Sequence, residues 1–199
     1  MAPDLPLESY KDVILRFAQS YVPMNDEDFK LAAPYLRVIS IKKGGRLCSA
    51  GERFEDLCFV AQGLFKAFFI TDEGVTWIRS FSREGEHVGS IGSLLLNQPS
   101  AVTIEALEDS IVVSIKHSHM QKLYEHGAKW ERFGRLIAEE HYKWWEYREH
   151  QLMVPDAAGR LQSAMGVLAP IIDRITQKDL AQYLRVTPEA LSRIKKSAK

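Results

Sequence analysis

The sequence predicts an α+β protein with N-terminal helices and a β-barrel or jelly roll, a long dimerisation helix, and a small C-terminal helix-turn-helix domain. Three observations carry that expectation. Short β-rich runs separated by glycines fill Arg37 to Ile115, a stretch of some 27 residues from Ala128 has helical character and no Gly-Pro punctuation, and two short helices with readable caps end the chain. The boundaries implied are a helical and β-rich domain over 1–127, the long helix over 128–154 and a small helical module over 155–199.

In chain order, Leu7 to Leu36 reads as helical. "YKDVILRFAQ" places Val13, Ile14 and Phe17 on one face, and "NDEDFKLAAPYL" starts from an Asn25 cap. The runs "RVISIKKGG", "RLCSAGE", "LCFVAQGLFKAFFITDEG", "TWIRSFSREGE", "HVGSIGSLL" and "AVTIEALEDSIVVSI" then read as strands and turns. After Lys116, "SHMQKLYEHG" is a short helix ending at Gly127. In the long helix Trp130, Ile137, Trp144 and Gln151 fall at heptad a positions, and Phe133, Glu140, Tyr147 and Val154 at d. That pattern predicts a two-helix seam and a homodimer. Pro155 ends the helix, and "VPDAAGR" reads as a hinge.

Composition narrows the function classes. With 46% hydrophobic and 26% charged residues the chain can bury a core. It has no run of 18 apolar residues and no basic, apolar leader, so we expect a cytoplasmic protein without membrane contact. Two cysteines, Cys48 and Cys58, are too few for a zinc or iron–sulfur site unless other ligands join, and we expect neither metal nor cofactor. The chain has 26 basic and 26 acidic residues, yet from Pro155 onward 8 basic face 4 acidic. Cations gathered on a terminal module point to a polyanionic partner.

That module, "RITQKDLAQYLRVTPEALSRIKKSAK", has Thr176 capping one helix, with Asp179 three residues on. Thr187 caps the next, with Pro188 at its first position. Leu180, Ala181 and Leu184 can meet Leu191 and Ile194 across a tight turn. Glu189, Ser192, Arg193 and Lys196 share the opposite face, which carries base-reading chemistry for double-stranded DNA: Arg binds guanine through two acceptors and Glu accepts from the cytosine amine. Thr176, Gln177 and the helix starts would hold the backbone, and Lys195 and Lys196 add cations.

Taken together, "KKGGRLCSAGERFEDLCFVAQGLFKAFF", "EGEHVGSIGSLL", "DAAGRL" and "ITQKDLAQYLRVTPEALSRI" resemble the Crp/Fnr family of bacterial transcription regulators over nearly the whole chain. The resemblance implies a cyclic-nucleotide-binding-like barrel, a homodimer through the long helix, DNA as ligand and RNA polymerase as a partner. It also exposes departures. Where nucleotide-binding members have a Gly-Glu pair and an Arg-Ser or Arg-Thr pair, this chain has Gly89 and Ser90, then Ser100 and Ala101. Losing a charge-assisted phosphate contact costs roughly 1.5–3 kcal/mol per hydrogen bond, so we expect no cAMP binding. The long-helix positions that would meet the base fall near Trp145 and Glu146.

Backbone amides around Gly89 to Gly92, with Ser90, Ser93 and Ser100, keep the capacity to hold a neutral or weakly anionic effector; the rival reading is a structural loop. Pro188 stands where many relatives carry a base-reading Arg. The sequence stops at Lys199, which leaves no room for the family's usual wing. Two rival functions remain to be weighed. Jelly rolls can hold metals, and His117, His119 and Glu125 come in roughly cupin-like order, with His87 the only other barrel imidazole. A dimeric sensor or scaffold without DNA binding is the second.

Overall fold

The computed structural model describes residues 5–153 and 156–197. The chain divides into two compact units, Met1–Ala67 with Phe81–Ala138, and Phe68–Ser80 with Glu139–Lys199.

The first unit begins with a 3-10 turn, Leu7–Tyr10, that runs into α1 (Lys11–Gln19), followed by α2 (Asp26–Ala32). The Asn25 cap is a full capping box: its side chain accepts from the Glu27 and Asp28 N–H groups, and Asp28 accepts from the Asn25 N–H in return. The strands are β1 (Leu36–Ile41), β2 (Arg46–Cys48), β3 (Asp56–Gln62), β4 (Leu64–Ile70), β5 (Thr76–Arg83), β6 (His87–Val88), β7 (Thr103–Ala106) and β8 (Ser110–Lys116). They make two four-stranded sheets, ordered β1-β8-β3-β6 and β2-β7-β4-β5.

In the first sheet β8 lies antiparallel between β1 and β3, with Val113 opposite both Val38 and Phe59. Its alternating apolar residues bury Val38, Phe59 and Val113 against α1 and α2, and the Phe17 ring stacks on Phe59 at 4.0 Å. Gly63 joins β3 to β4 at φ +100°, and a Cβ there would collide with Ser110, so both the backbone and the neighbour require glycine. One expectation needs correcting. "HVGSIGSLL" is strand only at His87–Val88, because Ile91–Leu96 winds into a six-residue helix, α3, that ends on Asn97 in the left-handed conformation.

After β8 come α4 (His117–Tyr124) and α5 (Ala128–Met153), separated by Gly127 at φ +121°. Trp130 and Phe133 on the first turns of α5 are buried with Val22, Met24, Met120 and Leu123.

The second unit holds the far part of the β4–β5 hairpin, the rest of α5, and three further helices. The "DAAGR" of the expected hinge is instead the start of a 12-residue helix, α6 (Ala157–Leu168), because the Asp156 carboxylate accepts from the Gly159 N–H and caps it. Val154 and Pro155 lie outside the described residues. A 3-10 segment, Ala169–Arg174, leads to α7 (Gln177–Leu184) and α8 (Pro188–Ser197). Leu168, Leu180, Ala181, Leu184 and Leu191 are all nearly inaccessible, and the small Ala181 lies fully inside this core.

Candidate functional sites

The loop between β6 and β7 is the first site the sequence singles out. Ser90, Ser93 and Ser100 are buried, whereas Gly92 and Ala101 are exposed and Gly89 lies between these extremes. The hydroxyls are turned inward. Ser100 Oγ lies 2.9 Å from Ser90 Oγ and 2.8 Å from the Val102 carbonyl, and it also accepts from the Val102 N–H. Ser93 Oγ donates to the Gln98 carbonyl and accepts from the Phe54 N–H at 3.0 Å.

The loop backbone is tied down as well. The Gly51 N–H donates to the Ser100 carbonyl and the Ser100 N–H to the Glu52 carbonyl, each at 2.8 Å. A cation does reach this region from elsewhere in the chain, since Arg53 Nη1 donates to Asn97 Oδ1 at 2.7 Å. Its sequence distance hides it from any reading of the loop alone.

Trp145, assigned to the effector site by resemblance, belongs to the second unit. There it is 42% exposed, with the Arg79 guanidinium 5.7 Å from its ring. Burial pulls the Arg79 pKa down, and burial together with Arg79 pulls His141 down.

The second site is the α7–α8 unit. Thr176 Oγ1 hydrogen bonds to Asp179 Oδ2 and accepts from the Asp179 N–H at 3.0 Å, while Asp179 accepts from the Thr176 N–H. This capping box holds the start of α7. Arg185, in the left-handed conformation at φ 55°, turns the chain, and its N–H together with that of Val186 satisfies the last carbonyls of α7. Thr187 Oγ1 then accepts from the Ala190 N–H at 3.2 Å, capping α8 behind Pro188.

The outcome is one exposed face carrying Pro188, Glu189, Ser192, Arg193 and Lys196, with Leu191 buried behind it. Glu189 is held below the usual carboxylate range by its own N–H and the Thr187 hydroxyl. Thr176 and Gln177 are exposed at the start of α7. Lys195 is half-buried and reaches back to α7, its Nζ 2.7 Å from Gln177 Oε1.

Sequence reasoning missed the polar centre of this unit. Arg148 on α5 is 2% exposed. It donates to Gln151 Oε1 at 3.0 Å, to the Tyr183 carbonyl at 2.6 Å and to the Ile78 carbonyl at 3.3 Å. Gln151 in turn donates to Tyr147 Oη, which donates to the Ser163 carbonyl on α6. The predicted seam is therefore largely occupied within the chain: Trp130, Phe133 and Gln151 are buried and Tyr147 is engaged, and Val154 lies outside the described residues. The exposed apolar residues of α5 are instead Tyr142, Trp145 and Met153. The signal for this was the i, i+4 pair Tyr147 and Gln151, two polar groups that need partners wherever they are buried.

The residues of the metal reading do not converge. His117 and His119 open α4, His119 packs on the Tyr35 ring at 4.8 Å, and His87 faces Tyr21 Oη at 3.2 Å. Among the described residues no group of three or more His, Cys, Asp or Glu is placed to hold a metal ion, and no helix is long and apolar enough to cross a membrane.

Two four-stranded sheets, a short helix between β6 and β7 and a long helix after β8 follow one another in the chain, and comparison with known proteins finds the same class of fold. Residues 38–126 match the cyclic nucleotide-binding domain family. Solved structures share its fold over most of the chain.

It is similar to the structure of FixK2 from Bradyrhizobium japonicum, at 19% identity and TM-score 0.68, covering 81% of this chain and 83% of that one. The c-di-GMP-responsive global regulator CLP of Xanthomonas campestris shares 14% identity at TM-score 0.71, over 87% of this chain and 91% of that one. A protein from Eubacterium rectale assigned to the Crp/Fnr family of transcriptional regulators shares 19% identity at TM-score 0.67, over 89% and 87%. No curated protein matches by sequence.

Proposed function

We propose that this chain is a homodimeric, DNA-binding transcription regulator of the Crp/Fnr type, and that its barrel does not bind cAMP. The observation that carries the reading is the α8 face. Glu189, Ser192, Arg193 and Lys196 are exposed together on a capped helix whose opposite side is buried against α7, the arrangement that lets a second helix enter a major groove. Phosphates would be met at the start of α7, by Thr176 and Gln177, and by Lys196.

Dimerisation is assigned to the exposed face of α5. Tyr142, Trp145, Glu149 and Leu152 follow one another at heptad spacing, with Tyr142 65% and Trp145 42% exposed in the single chain. Two such helices would place paired α8 helices on a two-fold operator. The barrel takes its input from a small-molecule effector or a protein contact, or activity follows protein level alone, and RNA polymerase is the partner implied by the family resemblance.

Absence of cAMP binding is supported by the β6–β7 loop. Ser90 and Ser100 bond to each other and Ser93 to nearby backbone groups, and by the family resemblance Ser90 and Ser100 fall where the carboxylate and guanidinium would stand. Calorimetry with cAMP should show no saturable heat, and micromolar affinity would overturn this part.

The DNA-binding part is tested by fluorescence anisotropy of the full-length chain on DNA from upstream of its own gene, against scrambled DNA at 150 mM salt. Specific binding that Arg193→Ala abolishes is expected. Equal, weak binding to both DNAs would favour a dimeric sensor that does not read DNA.

A further inference from the structure

The first unit has a partly open cavity of about 90 Å³ among α1, α2, the β1-β8-β3-β6 sheet, α4 and the first turns of α5. It is not the β6–β7 loop site, since no residue from 89 to 101 lines it. Five aromatic rings, Phe17, Phe29, Phe59, Trp130 and Phe133, form much of its wall, with Met24 and Met120 completing two sides.

The few polar groups at its surface are engaged with other partners. Asp28 accepts from the Asn25 N–H at 2.9 Å and from Lys129 Nζ at 2.8 Å. His87 Nε2 pairs with Tyr21 Oη at 3.2 Å. Ser114 accepts from Arg37 at 3.4 Å.

We propose that this cavity is a ligand site for a small, neutral, apolar molecule, a monocyclic aromatic or a short hydrocarbon. A charged or strongly polar guest would leave its hydration shell for walls whose hydrogen-bonding groups are already in use, which disfavours it heavily. Water fares little better, because it needs two to four polar partners to settle in such a space. An aromatic or aliphatic guest meets the opposite situation: carbon-lined walls restore the dispersion contacts that an empty cavity forfeits.

Size sets the upper limit. Engineered apolar cavities of about 150 Å³ stay dry and admit benzene, so this smaller space takes a guest of one ring or less. Trp130 and Phe133 are at once part of the wall and the opening turns of α5, so occupancy bears on the root of that helix. The assignment stands whether or not the chain reads DNA.

The test uses full-length protein labelled with 13C at the methionine methyls. Met24 and Met120 line the cavity, and Met153 and Met165, in the other unit, serve as internal controls. Titration with benzene should shift the Met24 and Met120 resonances saturably, leaving Met153 and Met165 in place, and benzoate should move none of them. Ala18→Leu, which fills the cavity, should weaken benzene binding at least tenfold; Ile137→Phe fills it from α5 and guards against a misfolded first variant. The proposal fails if Met24 and Met120 do not saturate up to the solubility of benzene. It fails equally if all four methyls shift together, if benzoate binds as well as benzene, or if a folded filling variant retains the wild-type affinity.

Discussion

The Arg148 guanidinium lies 3.7 Å from the centroid of the Tyr183 ring and donates to the carbonyl of the same residue at 2.6 Å. One side chain of α5 thus grips α7 through both a ring face and a backbone acceptor. Among the described residues no carboxylate bonds to it; carbonyls and an amide oxygen carry the charge, and the stacked ring adds a cation–π contact.

Arg148→Met should lower the stability of the second unit by about 2–4 kcal/mol, because it leaves the Tyr183 and Ile78 carbonyls and Gln151 buried without their donor. Arg148→Lys should rescue little, since a point ammonium cannot serve three acceptors and the ring at once. Urea denaturation followed by tyrosine and tryptophan fluorescence gives both values.

Gly134 on α5 faces Tyr124 so closely that an added Cβ would come within 2.7 Å of ring atoms. Alanine normally favours a helix over glycine by about 1 kcal/mol. Here the displaced ring should reverse that sign, and Gly134→Ala should destabilise by about 1–3 kcal/mol. In a Tyr124→Ala background the same change should become stabilising. A double-mutant cycle by thermal denaturation reads this change of sign directly.

What the sequence disclosed was local. The Asn25 and Thr176 capping boxes, the Thr187–Pro188 start of α8 and the Gly127 stop were legible because each depends on residues three or four positions apart. The helices α3 and α6 were not. "SIGSLLL" has no side-chain cap and sits inside a run of strands, and "DAAGR" carries a glycine in its first turn, so composition argued against a helix that the Asp156 cap supports. The cover over the ends of the heptad stripe was hidden for another reason. Apolar spacing shows that a helix face is buried but not what covers it, and Trp130 and Phe133 are covered by their own chain. Arg53 reaching Asn97, and Arg148 reaching Tyr183, join residues 44 and 35 positions apart, beyond any periodicity.

Complete burial pushes the Cys58 thiol up from 9.0 to about 12, with a smaller opposing effect from its bond to Ser114. A group whose pKa is raised on folding stabilises fully below its unfolded value and loses that contribution as pH climbs toward the folded one. Stability should therefore be flat in this group below about pH 9 and fall above it by up to ~1.4 kcal/mol per pH unit. Cys58→Ala should make the decline between pH 9 and 10 shallower, although burial raises Cys48 too and leaves part of the slope. Urea titrations at half-unit pH steps measure it, and native Cys58 should resist iodoacetamide at pH 8.

Lys195 and Lys196 are adjacent in sequence, yet their surroundings differ. Lys195 is half-buried and donates to Gln177, so to reach a phosphate it must give up that contact, whereas Lys196 is exposed beside the reading face. Lys196→Ala should weaken binding by a similar factor on every DNA and reduce the slope of log K against log salt by about 0.9, one phosphate's worth. Lys195→Ala should change that slope less.

Arg193→Ala should behave unlike either lysine variant, with a penalty of about 1–3 kcal/mol on a site that offers guanine at the contacted position and little on one that does not. Anisotropy titrations of the three variants on two operators, each at four salt concentrations, separate the roles. If Arg193→Ala weakens all DNAs equally, it is a phosphate contact, and sequence reading must come from Glu189 or Ser192.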